Sequence, residues 1–351
     1  MQFMLLPSQS STTIEGNFAY SDYHIEQQQG DNLPRFSEIR GFEAGMDFNY
    51  YPEDDEVKYG FDITGFKTEF QFYNAVGRRL NQTQFTTEIA GYVKYKKILG
   101  PLVLDPSVRL QYYGSLQELS PEPRLGAKIN ITNDFRVKFS GGYYTQNLLS
   151  AKSERDVVNL FYGFLSAPND LQDKFQGDEV NSHLQEATHA IGGIEADITP
   201  HMLLEAETYL KRFNQLIDVN RNKIFDDNRQ YQDKPAYLRE DYIVEEGVAY
   251  GADLKYSYDK SPYYFWLTYS LGFVDRNDGR VEYDPHWDRR HSLNLVGNYT
   301  FGNNNSWEVS LRWNLGSGFP FTRTQGFYEN LKFLDQGVNT QYTRENGELG
   351  I

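Results

Sequence analysis

The side chains in this 351-residue chain that could do chemistry are scattered. There is no Cys, which removes a disulfide framework and a Cys-ligated metal. The six His residues are His24, His183, His189, His201, His286 and His291. None has the helix spacing of a metal pair, two ligands four residues apart. His183 and His189 lie an even number apart, so on one strand they would share a face. At roughly 3.4 Å per residue they would then be about 20 Å apart, too far to hold one ion. Asp288-Arg289-Arg290-His291 mixes acid, base and imidazole, but charges this dense suit wall lining or cross-strand pairing near a rim. Asp218-Val219-Asn220-Arg221-Asn222 with Asp226-Asp227 has the look of a calcium loop. The glycine such a loop needs is Lys223 here, and its closing Glu is missing, so a polar loop is the reading. No Ser-His-Asp or Cys-His arrangement stands out, and no Gly-rich phosphate loop is present. The expectation is a protein that is not an enzyme, with no catalytic, cofactor-binding or metal residue and no cofactor; ligand-binding residues are not assigned.

Charge narrows the partners. The net charge is −15, with no basic stripe, which excludes a nucleic-acid partner. Aromatic residues make up 16% of the chain, with 27 Tyr and 24 Phe. Tyr and Lys interleave in Gly91-Tyr92-Val93-Lys94-Tyr95-Lys96-Lys97, as a strand with two unlike faces would require. No stretch approaches 18 apolar residues, so no helix crosses a membrane. The opening, Met1 to Leu6, is too short for a signal h-region and lacks a basic lead, so no signal peptide is expected.

The elements that must position these residues are long strands. Apolar and polar residues alternate with period two over ten to sixteen residues at a time. One face of the clearest segment reads Tyr263, Phe265, Leu267, Tyr269, Leu271, Phe273. The other reads Tyr264, Trp266, Thr268, Ser270, Gly272, Val274. Trp307, Val309, Leu311, Trp313 and Leu315 likewise oppose Glu308, Ser310, Arg312, Asn314 and Gly316. About thirteen strands follow, near 12–24, 37–50, 56–68, 83–96, 101–115, 123–131, 135–147, 183–198, 202–215, 243–258, 262–275, 288–302 and 306–318. Pro106 falls inside one of them, which calls for a bulge or break.

The connections alternate in length. Short polar turns fall near 52–55, 97–100, 132–134, 199–201, 259–261 and 303–305. Long ones cover 25–36, 69–82, 148–182, 216–242 and 276–287, with an intermediate one near 116–122. That parity, and strands twice the usual soluble length, fit an all-β antiparallel transmembrane barrel segment with short periplasmic turns and long extracellular loops. Tyr50-Tyr51, Tyr112-Tyr113, Tyr143-Tyr144, Tyr256 with Tyr258, and Tyr263-Tyr264 would form girdles at the headgroups. Charges such as Glu205, Glu207, Arg136, Lys138 and Arg312 must then face water, each other or a filler of the lumen. Ser153-Glu154-Arg155-Asp156 ahead of Val157, Val158, Leu160, Phe161, Phe164 and Leu165 reads as a capped short helix, placed to fold over the mouth.

Several motifs carry a family resemblance. Tyr283-Asp284-Pro285-His286-Trp287-Asp288-Arg289-Arg290-His291-Ser292-Leu293-Asn294 leads through Trp307 to Ser317-Gly318-Phe319-Pro320-Phe321-Thr322. Leu119-Ser120-Pro121-Glu122-Pro123-Arg124-Leu125 runs into Gly141-Gly142-Tyr143-Tyr144-Thr145-Gln146. Val57-Lys58-Tyr59-Gly60-Phe61-Asp62 is a third. In order and spacing, from about residue 36 to 330, the chain resembles the barrel of TonB-dependent receptors, especially those of Bacteroidetes-type bacteria.

The resemblance implies a barrel of about 22 strands around an N-terminal plug, in the outer membrane of a Gram-negative bacterium. It implies energised uptake of a scarce ligand: an iron chelate, corrinoid, glycan or peptide. The implied partners are outer-membrane lipid, a plug domain, and a TonB-type energy-transducing complex. Against that pattern, residues 1–351 are expected to be a partial barrel domain, truncated at both ends and lacking the plug. A plug-less porin-like barrel and a soluble β-rich surface binding protein stay open as alternatives.

Overall fold

The computed structural model describes residues 1–7, 11–28, 34–53, 55–73, 78–151, 161, 163–166, 168, 171–220, 222–322, 329–330, 337–338 and 349–350. They are dominated by antiparallel strands. In chain order these are β1 (Gln2–Leu5), β2 (Thr12–Gln27), β3 (Arg35–Tyr50), β4 (Glu56–Tyr73), β5 (Arg79–Leu99), β6 (Leu102–Tyr113), β7 (Glu118–Asn130) and β8 (Phe135–Gln146). Four short strands follow, β9 (Leu148–Ala151), β10 (Gly163–Ser166), β11 (Lys174–Phe175) and β12 (Asp178–Glu179). Then come β13 (Gln185–Thr199), β14 (Met202–Val219), β15 (Tyr242–Lys260), β16 (Tyr263–Asn277), β17 (Glu282–Tyr283), β18 (His291–Phe301) and β19 (Trp307–Gly316). One 15-stranded sheet runs in the order β1 to β8, β13 to β16, β18, β19, with β17 on the side of β16. Each of the thirteen strands read from the sequence is present in it.

Register converts the alternation into two faces, because directly opposed residues in an antiparallel pair point the same way. On one face Leu204, Tyr256, Leu267, Leu295 and Trp313 form a continuous row across five strands. Phe18, Ala44, Ile63 and Ile89 form another across four. This face is exposed: Phe18 is 51% exposed, Leu210 50% and Leu311 59%. Exposed apolar area on this scale exceeds what a soluble monomer shows. On β16 the apolar run Tyr263 to Phe273 is about 33 Å of strand, or about 25 Å of height at a tilt of ~40°, the thickness of a barrel's apolar band. The opposite face carries Asp62, Ala90, Gln111 and Ser120 in one row and Glu195, Glu205, Lys255 and Thr268 in another.

Glycines let large rings lie flat against the sheet. Tyr209 covers Gly251 and Gly272, where a Cβ on Gly251 would stand 2.6 Å from its hydroxyl. The tightest reversal, Gly100-Pro101 between β5 and β6, needs the left-handed backbone of Gly100, φ 60°.

Several expectations change. The ladders run past the apolar band, so β4 and β5 continue to Tyr73 and from Arg79, and the connection expected at 69–82 shrinks to 74–78. Backbone pairing persists there because it does not depend on apolar side chains. The same extension trims the connection at 25–36 to 28–34 and the one at 116–122 to 114–117. Opposite Pro106 the β5–β6 ladder skips from Lys94↔Ser107 to Lys97↔Leu104, a break without a register shift, since proline has no N–H to give. The helix expected over 153–165 falls mainly on residues outside the described set; its end, Gly163–Ser166, is a strand paired with Leu148–Ala151. The Tyr112-Tyr113 doublet is split between the faces: Tyr112 is 40% exposed, whereas Tyr113 is turned in at 2%.

Candidate functional site: the capped mouth and charged inner wall

The polar face is laced with ion pairs. Toward the short-turn end Arg136 pairs with Glu195 at 2.7 Å and with Asp197, Lys138 also reaches Glu195, and Lys255 meets Glu205 at 3.0 Å. Farther round the sheet Lys94 meets Asp105 and Arg109 meets Asp62, each at 2.8 Å. Arg109 also donates to Gln111 at 3.0 Å, and Gln111 donates to Glu88 at 3.0 Å. Charges in such numbers need water beside them, so this face lines an aqueous interior.

At the long-loop end the hairpin β9–β10 lies against this same face. Ser166 is fully buried. Its hydroxyl sits 3.1 Å from that of Thr68 on β4 and 3.0 Å from that of Thr86 on β5. Gln82 on β5 donates to the Ser166 carbonyl at 2.7 Å, and the Phe164 N–H donates to Ser37 on β3 at 2.9 Å. Tyr242, at the start of β15, donates to Gln82 at 2.7 Å. Five strands separate β5 from β15 in the sheet, so that bond requires the sheet to curl until its two sides meet across the interior.

Phe70, Leu149, Phe161, Leu165, Ile217 and Tyr242 fill the space between as one buried cluster. Each such side chain contributes about 1.5–3 kcal/mol when fully buried. The three hydroxyls of Ser166, Thr68 and Thr86 satisfy one another where water is excluded, which fixes the register of the cap.

The other long connections are tied in too. Arg78 donates to the Ile224 carbonyl at 3.0 Å and pairs with Asp226 at 3.0 Å. Glu245 is fully buried; it accepts from Tyr283 at 2.9 Å and pairs with Arg276 at 3.3 Å. Arg290 holds both Asp284 and Asp288 at 3.1 Å. Burial pushes the Asp288 carboxyl up, and the charge of Asp284 pushes the same way against the pull of Arg290.

The residues first considered for chemistry disperse. Asp218 pairs with Arg276, Asp226 with Arg78, and Asp227 with Arg239. Asn220 spends its amide on the carbonyls of Tyr237 and Glu240, at 2.8 Å each, and Lys223 pairs with Asp241. Arg221 lies outside the described residues. Among the described residues no three His, Asp or Glu gather as a metal site. His183 precedes β13 and reaches Glu118 at 3.9 Å, whereas His189 is on β13 against Tyr144, so the two do not share a strand. Asp288 and Arg290 pair together, Arg289 covers Phe319, and His291 bonds Tyr269 at 2.8 Å. The latch of Ser166, Gln82 and Tyr242 had no motif; its one trace is a lone Ser after the apolar Phe164-Leu165.

No family model and no curated protein matches the sequence. Solved structures do match in fold. FpvA of P. aeruginosa, in complex with a heterologous pyoverdine and iron, aligns over 89% of this chain and 45% of its own, with TM-score 0.58 and 12% identity. The ferric citrate transporter FecA, unliganded, aligns over 91% and 48%, with TM-score 0.57 and 14% identity. The FrpB iron transporter of Neisseria meningitidis aligns over 87% and 49%, with TM-score 0.58 and 9% identity. The chain spans about half the length of these proteins. With its long antiparallel strands, apolar outer face and charged inner face, it has the fold of the barrel of TonB-dependent outer-membrane receptors.

Proposed function

We propose that residues 1–351 form part of the barrel wall of a gated outer-membrane importer, with no enzymatic step of its own. The supporting observation is the pairing of a charged inner face with the β9–β10 hairpin bonded onto that face at the long-loop end. Here the hairpin is bonded to β3, β4 and β5 and packed against β14 and β15. In this reading the long connections face the exterior and admit a scarce ligand, such as an iron chelate, corrinoid, glycan or peptide. The short turns face the periplasm. The lumen receives a plug domain, and a TonB-type complex supplies the work that opens the path.

Labelling kinetics test the gate. The chain has no Cys, so Ser140→Cys on the inner wall is a unique thiol. In intact cells a membrane-impermeant maleimide should label it slowly. Adding Ser166→Ala, which removes the shared hydroxyl, should speed labelling at least about threefold, the effect of ~0.7 kcal/mol. Equal rates would contradict a gating role for the cap, and absence from the outer-membrane fraction would contradict the whole reading.

A further inference from the structure

Many charges of the inner wall are paired, and two of opposite sign that are not border one place. Lys94, Arg109, Arg136, Lys138 and Lys255 each have a carboxylate partner. Lys128 on β7 and Glu207 on β14 have no ion pair or side-chain hydrogen bond among the described residues. Register places them on the same face and in the same row, Lys128, Lys138, Gly193, Glu207, Asp253. Three strand spacings separate Lys128 from Glu207, about 14 Å between backbones at ~4.8 Å each.

Both charges border a depression of about 290 Å³ in the wall, whose lining also includes Val103, Gly126, Lys138 and Ile191. At Gly193 the side chain of Glu207 lies where a Cβ would be, 2.7 Å from its Cγ, so the glycine lets the carboxylate lean toward the hollow. Lys128 lies on β7 and Glu207 on β14, with β8 and β13 between them.

We propose that this depression is a station for a zwitterionic ligand of the amino-acid or small-peptide class. Lys128, beside Lys138, takes the carboxylate; Glu207, beside Asp253, takes the ammonium; Val103 and Ile191 meet the apolar body. Unpaired charges of opposite sign fit such a ligand better than a simple anion, which Glu207 would repel, or a simple cation, which Lys128 would repel. The site rests on the reading of this face as the lumen of an importer.

The test uses the full chain folded in detergent micelles, with folding checked by the faster migration of the unheated barrel on a gel. Equilibrium dialysis compares L-phenylalanine with two one-charge analogues, phenylalaninamide and 3-phenylpropionate, against micelles alone. The expected result is saturable binding of phenylalanine at least tenfold tighter than either analogue. Lys128→Met should abolish the preference over phenylalaninamide, and Glu207→Gln the preference over 3-phenylpropionate, while Lys255→Met changes neither. Equal binding of all three probes by the unaltered chain, or none that saturates, overturns the proposal without recourse to any variant. Discriminating binding by a chain that fails the gating test would leave the station standing and remove the importer reading.

Discussion

Replacing Leu267 by Arg asks whether the apolar rows meet hydrocarbon. Leu267 lies near the middle of the band on β16, between Tyr256 of β15 and Leu295 of β18. An Arg at the midplane of a barrel's lipid face costs about 2–4 kcal/mol, roughly 30- to 900-fold in the folding equilibrium. Thr268, one residue on, points the other way. It accepts a hydrogen bond from Asn294 at 3.3 Å and stands opposite Lys255, which is already held by Glu205. Thr268→Arg loses that bond, about 1 kcal/mol, and leaves the new guanidinium in water. The assay is refolding from urea into phosphatidylcholine vesicles, read by migration of the unheated protein on a gel. Leu267→Arg should lose about 2 kcal/mol more than Thr268→Arg. Equal losses, or a larger loss at Thr268, would refute the assignment of the two faces.

Three other outcomes follow from the same structure. Gly251→Val should destabilise the folded chain by about 1–3 kcal/mol in the same refolding assay, because a Cβ there stands 2.3 Å from the Leu271 carbonyl and 2.6 Å from the Tyr209 hydroxyl. The Lys97 ammonium beside Asp55, with the Tyr95 hydroxyl, holds the Asp55 carboxyl below the usual aspartate range. Its stabilisation of the turn is therefore present above the unfolded value near 3.9 and lost as pH falls through the folded value. Carbon NMR of the carboxyl should show a low titration in the unaltered chain and a rise toward the ordinary value in Lys97→Met; no rise would contradict the pairing. Gln82→Leu removes the acceptor of Tyr242 and the donor to Ser166, and should speed hydrogen exchange at Phe164 about tenfold or more.

The wall was legible in the sequence and the cap was not. Alternation such as Tyr263 to Val274 fixes which side chains share a face, because one face must meet apolar surroundings and the other water. Above the band that contrast fades. Thr68, Phe70 and Phe72 all point inward under the cap, so their strand carries no polar–apolar signal at Tyr73. The cap misled for a related reason. Phe161, Phe164 and Leu165 are apolar because buried or half-buried neighbours surround them, and such a run matches a helical period as readily as a strand. The bonds from Ser166 to Thr68 and from Tyr242 to Gln82 join residues 98 and 160 positions apart, which no local pattern encodes. In the sequence Glu207 was visible only as a charge facing inward, and Lys128 was not singled out. That neither is paired depends on where the neighbouring charges go.

Fluorescence quenching by brominated lipid tests the central claim most directly. Trp313 lies on the apolar face of β19 and Trp266 on the polar face of β16, both within the band. In single-tryptophan variants refolded into bilayers brominated at mid-chain, Trp313 should be strongly quenched and Trp266 nearly unaffected. Equal quenching of the two, or quenching of Trp266 alone, would contradict the account.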